Sequence, residues 1–167
     1  MWKNVKKTID EENERLRFEP PKDVMNVIHY GVIETECGTK KLSMGNWFFS
    51  FTDIRYVGAY LYQIMNLSLD TSYTLKQLKF MVSSMISQPA EFAGYGGFKI
   101  LKEFVTESLK VMDEINDREE LLTLLNSLFL YASHLHTWIN HYFPWNYNFA
   151  FPIRTKEEIK DMQKYIK

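Results

Sequence analysis

Three of the four histidines, His134, His136 and His141, fall in one short stretch with Thr137 and Trp138, and Trp145 follows just beyond. Imidazole, hydroxyl and indole groups offer hydrogen bonds, proton transfer and ring stacking near neutral pH. On a helix, His134 and His141 lie two turns apart on one side with Trp138 nearby, where they could converge on an anionic or aromatic ligand. Either could serve as a general base if a carboxylate from elsewhere in the fold came within hydrogen-bond reach, and Glu91 is one such acid. Zinc chemistry of the H-E-x-x-H type is excluded, because no pair has the i, i+4 spacing with a Glu between. His136 points toward a different, apolar side, as a hydrogen-bonded core histidine does.

The element that must position these groups is unusual. Between Leu121 and Ile153 there is no Lys, Arg, Asp or Glu, although 25% of the chain is charged. The polarity of Asn126, Ser127, Ser133, His134 and Asn140 argues against a membrane span. At 100° per residue, Leu121, Leu124, Leu125, Leu128, Ala132, Leu135, Ile139 and Tyr142 share an apolar face. The other side carries rows of neutral polar residues: Thr123 and Thr137; Asn126, Ser133 and Asn140; Ser127, His134 and His141. A solvent-facing helix would carry Lys and Glu, so this one is expected at the centre of a bundle. Its polar rows then form a satisfied layer in the core, the lining of a ligand cavity, or an oligomer interface. The aromatic run from Tyr142 to Pro152, including Trp145, is expected to fold back as a cover.

A chain of 167 residues, 46% hydrophobic, fits a single domain spanning 1–167. Formal charge of -1 supplies no basic field for nucleic acid, and neither nucleic acid nor a membrane is an expected partner. The one cysteine, Cys37, cannot form an intramolecular disulfide, which suits a reducing compartment. The first residues turn polar and acidic where a secretory leader would be apolar, so the chain is expected to be cytoplasmic. No P-loop, dinucleotide fingerprint or nucleophile elbow is present, and no cofactor or metal is expected.

Trp2, Val5, Ile9 and Leu16 mark an amphipathic first helix, stopped by Glu19-Pro20-Pro21. A short helical turn is expected over 23–29 and a loop or small hairpin over 31–45. Ile54, Val57, Leu61, Ile64 and Met65 set a helix from Thr52. Thr74 caps another, expected to end at Gln88-Pro89. The glycine turn at Gly94, Gly96 and Gly97 precedes a helix from Phe98 to Ile115, and its amides are weak candidates for a phosphate. Asp117 and Glu120 then form a capping box for the uncharged helix, expected to run to Phe143, and Thr155 with Glu158 opens a short final one. The pattern is an all-α bundle of about five or six helices.

The segment from Leu135 to Trp145, with His136, Thr137, Trp138, Asn140, His141, Tyr142 and Pro144, resembles the end of the helical bundle domain associated with cucumopine synthase. Glu19-Pro20-Pro21 and the helix start from Tyr73 to Phe80 are compatible with it. Enzymes of that family join histidine to a 2-oxo acid, but in a cyclophilin-like β-barrel domain, and no β-rich sequence of that size is present. The resemblance therefore implies the fold, and carries no catalytic residue over. It suggests a non-catalytic module that binds a small molecule or a protein partner. His134, Trp138, His141, Thr137 and Trp145 are the ligand-binding candidates. The rival readings are a small enzyme with a histidine base, and a structural or assembly protein forming a homo-oligomer.

Overall fold

In the computed structural model, residues 1–22, 32–35, 38–41, 44–95 and 97–142 are described. The short helix expected over 23–29, Cys37, the aromatic run beyond α5 and the helix expected from Thr155 lie outside them. Among the described residues are five α-helices: α1 (Trp2–Arg15), α2 (Met44–Leu67), α3 (Leu75–Tyr95), α4 (Lys99–Lys110) and α5 (Arg118–Tyr142). A 3₁₀ turn, Met112–Glu114, links α4 to α5. Between α1 and α2 an antiparallel hairpin pairs β1 (Val32–Thr35) with β2 (Gly38–Lys41), with Val32 opposite Lys41. The all-α bundle read from the sequence is the fold, with this hairpin as its β-structure among the described residues.

The core is the set of apolar faces that periodicity marks. Ile54, Val57, Leu61 and Ile64 of α2 are fully buried, as are Leu121, Leu124, Leu125, Leu128 and Leu135 of α5. Helix α2 packs on α3 and α5, α3 on α4, α1 on α5 and α4, and α4 on α5, which leaves α5 in contact with three other helices. From Tyr131 to His136 every residue of α5 is buried, so its charge-free stretch is enclosed there. No helix among the described residues is long and apolar enough to cross a membrane.

Helix starts follow their caps. The Gln77 amide donates to Thr74 Oγ1 (3.1 Å) and the Thr74 amide donates to Gln77 Oε1 (2.8 Å). At α5 the Glu120 amide donates to Asp117 Oδ1 (2.8 Å), while Glu120 Oε2 accepts from the Asn116 amide (3.0 Å). Each arrangement satisfies donors that the first helical turn leaves open.

Three expected boundaries shift. Helix α2 begins at Met44 rather than Thr52, through Gly45, Asn46 and an aromatic run of modest helix propensity, a weak local preference that tertiary context overrides. Helix α3 runs through Pro89 to Tyr95. Proline forfeits one backbone bond, but the turn after it is anchored: Ala90 and Ala93 are buried, and Glu91 pairs with Lys102 of α4 (3.2 Å). The helix stops where Gly97 adopts φ 106°, with the Phe98 amide donating to Ala93 O and the Gly97 amide to Gly94 O, a Schellman closure. A Cβ on Gly94 would meet Lys102 Cβ at 2.8 Å, so a glycine there lets α3 and α4 approach closely. Helix α4 ends at Lys110, ahead of the expected Ile115, because the tighter 3₁₀ turn buries both Met112 and Ile115. Lys79 Nζ donates to the Ile115 carbonyl at 2.5 Å.

Candidate functional site

The neutral polar residues of α5 fall into groups that face different neighbours. One group joins α5 to α1. Asn13 Nδ2 donates to Ser127 O (3.0 Å), Ser127 Oγ donates to Asp10 Oδ1 (2.6 Å), and Trp138 Nε1 donates to the carbonyl of Leu16 (2.9 Å). Trp138 is completely buried. Its indole closes the end of α1 against α5, so its polar edge is already committed to backbone. His134, also buried, shares this side of the helix, one turn before Trp138.

His136 looks elsewhere, toward α2. It is 3% exposed, and burial together with the positive charge of Arg55 lowers its pKa to about 4. A neutral core imidazole, as expected from its place on the apolar side, is the result. Asp53, two residues from Arg55 on α2, has its carboxyl raised to about 6 by partial burial. The proximity of Arg55 to His136 has no signature in the sequence, since it depends on how α2 and α5 cross.

A third line runs Ser133, Thr137, His141 at i, i+4, i+8, one above the other along α5. Ser133 is 1% exposed, and its Oγ meets no hydrogen-bond partner among the described residues. Thr137 is half-buried and its Oγ1 donates to Ser133 O (2.9 Å). His141, in the last turn, is half-buried, and burial holds its pKa below the usual histidine value. The line descends from two partly open groups to a buried hydroxyl, and burial favours the neutral form of His141. Hydroxyl and neutral imidazole each both donate and accept, so such a line can hold a polar ligand without enclosing an uncompensated charge. Ser133 was not among the residues singled out as ligand-binding from sequence, although the i, i+4, i+8 spacing marks it. Trp145 lies outside the described residues.

The acid offered by the sequence as a partner for these histidines is placed differently. Glu91 sits on α3, where its carboxylate pairs with Lys102. Among the described residues, no three His, Cys, Asp or Glu side chains cluster as metal ligands would. The Gly97 and Phe98 amides, in the turn weighed for phosphate, donate to α3 carbonyls.

Residues 2–142 match the family described as the Cucumopine synthase C-terminal helical bundle domain. This chain belongs to that family. The resemblance read from the Leu135 to Trp145 segment is thus extended over most of the chain. The fold is similar to that in the solved structure of McbB in complex with tryptophan, with a TM-score of 0.77 and 27% sequence identity. The similarity covers 90% of this chain and 49% of McbB, so the chain spans about half the length of that relative. No curated protein matches it in sequence.

Proposed function

We propose that this domain is a non-catalytic module that binds a small molecule of the aromatic amino-acid class along the Ser133–Thr137–His141 line of α5. The observation that carries the reading is the buried Ser133 hydroxyl, left without a hydrogen-bond partner among the described residues at the foot of two half-open polar groups. A buried polar atom of this kind calls for a partner. The hydroxyls and His141 would accept from an ammonium and donate to a carboxylate. His134 and Trp138, the other two helix candidates, lie on the neighbouring side of α5 that meets α1, and Trp145, in the aromatic run that follows, is included on the chemistry of its ring alone. McbB, similar in fold and 27% identical, has been solved with tryptophan, which supports this ligand class. Binding rather than catalysis is favoured because Glu91, the carboxylate the sequence offers as a proton partner, is tied to Lys102.

The test is thermal unfolding of the purified protein with L-tryptophan, L-histidine and 2-oxo acids, compared with Thr137→Val and His141→Ala. A ligand at about 100 times its Kd stabilises the native state by about 2.7 kcal/mol. An aromatic amino acid is expected to raise the melting temperature of the wild type and to lose that effect in both variants. Absence of any shift at millimolar amino acid would remove the proposal.

A further inference from the structure

On α2, folding leaves the carboxylate of Asp53 without a counter-charge. It is half-buried, it makes no hydrogen bond or ion pair among the described residues, and burial alone raises its pKa to about 6. Arg55 does not offset it. Residues two apart on a helix point to opposite sides, and the guanidinium charge is felt instead by His136 of α5. From Tyr56 to Leu69 the chain then carries no Lys, Arg, Asp or Glu. A carboxylate held partly out of water with no cation beside it costs stability, and groups so placed cluster at functional sites.

The residues beside it on the same flank decide the chemistry. Asp53, Tyr56 and Tyr60 follow one another at i, i+3 and i+7, which places them on one side of α2. The two phenol rings are stacked, with 5.8 Å between centroids and 13° between planes. Tyr60 is half-buried and packs against the core, whereas Tyr56 is 45% exposed, so the stack is anchored at one ring and open at the other. The face of an aromatic ring is its negative pole, and it attracts a cation that comes within about 6 Å of the centroid. Carboxylate and rings therefore favour the same sign of charge.

We infer that the Asp53, Tyr56 and Tyr60 flank of α2 binds a small organic ammonium ion, with the Asp53 carboxylate opposite its charge and the tyrosine rings against its carbon. A metal ion fits this flank poorly. Calcium takes about six to eight oxygen ligands and magnesium a near-ideal octahedron, and among the described residues no three His, Cys, Asp or Glu side chains cluster. An organic ammonium asks for less: one carboxylate offsets its charge, and ring faces suit its polarised carbon shell, as in the aromatic cages that take up quaternary ammonium groups. Binding also supplies the counter-charge that the fold withholds from Asp53. The site is half-open, so its affinity is modest.

The experiment is a titration of the full chain with tetramethylammonium chloride, followed by NMR at the ring protons of Tyr56 and Tyr60. Sodium chloride at matched ionic strength controls for screening, and tert-butanol for shape without charge. Both rings are expected to shift saturably with tetramethylammonium and with neither control. Asp53→Asn should weaken binding about tenfold and Tyr56→Leu about threefold. No saturable shift, an equal response to tert-butanol, or full affinity in Asp53→Asn would each overturn the inference. Should a variant fail to fold, the wild type decides alone: the Asp53 carboxyl is expected to titrate closer to the ordinary carboxylate range in tetramethylammonium than in sodium, and identical titrations would sink the idea. Ser133, Thr137 and His141 stand on α5 and not on this flank. Tryptophan binding there should survive Asp53→Asn and be lost in His141→Ala, so the two proposals fail separately.

Discussion

The seam between α1 and α5 and the Ser133–Thr137–His141 line use similar residue types on the charge-free stretch of one helix, yet their donors end in different states. At the seam, Asn13, Ser127 and Trp138 all donate to identified acceptors, two of them backbone carbonyls, and Trp138 is completely enclosed, although the Asn13 Oδ1 acceptor meets no partner among the described residues. Along the line, the Ser133 hydroxyl has no such partner among the described residues, and Thr137 and His141 are half-open. The first pattern holds helices together. The second leaves the Ser133 hydroxyl unmatched among the described residues. Neutral polarity on a buried helix is therefore not one signal, and its meaning depends on what each group already touches.

The comparison breaks first at Trp138. Trp138→Ala removes a fully buried ring and leaves the Leu16 carbonyl without its donor, and it is expected to cost about 3–5 kcal/mol in urea unfolding. A loss below about 1 kcal/mol would mean that α1 is not fastened to α5 as the structure indicates.

His136 gives the next largest effect, and it depends on pH. Its pKa in the folded protein, about 4, lies below the ordinary 6.5, so the unfolded chain binds the extra proton first as pH falls. The contribution is complete above pH 6.5 and is lost as pH drops toward 4, amounting to about 3 kcal/mol. Asp53 acts in the opposite sense: its raised pKa makes the ionised form unfavourable in the fold, so stability falls as pH rises through about 6. Asp53 is much less enclosed, and its contribution is smaller. Urea midpoints measured from pH 4 to pH 8 should rise with pH in the wild type, and the rise should flatten in His136→Gln.

Asn13→Ala removes the amide that reaches Ser127 O, and is expected to cost about 1 kcal/mol in the same assay. Ser133→Ala is the opposing case. Removing a buried hydroxyl that lacks a partner should leave the stability of the free domain unchanged or raise it by up to about 1 kcal/mol. A cost at Ser133 as large as that at Asn13 would place both in the structural class and erase the distinction.

Much of this arrangement was legible in the sequence. Periodicity located α1 and the apolar faces of α2 and α5, and Thr74 and Asp117 marked the starts of α3 and α5 through local chemistry. The absence of charge from Leu121 onward placed α5 at the centre of the bundle. What was not legible depends on contacts between helices. Pro89 stops an isolated helix, and only packing of the following turn against α4 carries α3 past it. Trp138 reads equally well as a ligand platform or a structural post, because the Leu16 carbonyl that its indole meets is 122 positions away. Ser133 was visible as one member of a polar row. Its unmatched hydroxyl emerges only when the surroundings are in place.

The most direct test of the binding claim is calorimetric titration of L-tryptophan into wild-type protein and into Ser133→Ala, with unfolding free energy measured on both. The account predicts binding by the wild type and an affinity weakened about 5- to 30-fold in the variant, with no loss of stability. Equal affinities, or no binding by the wild type, would contradict it.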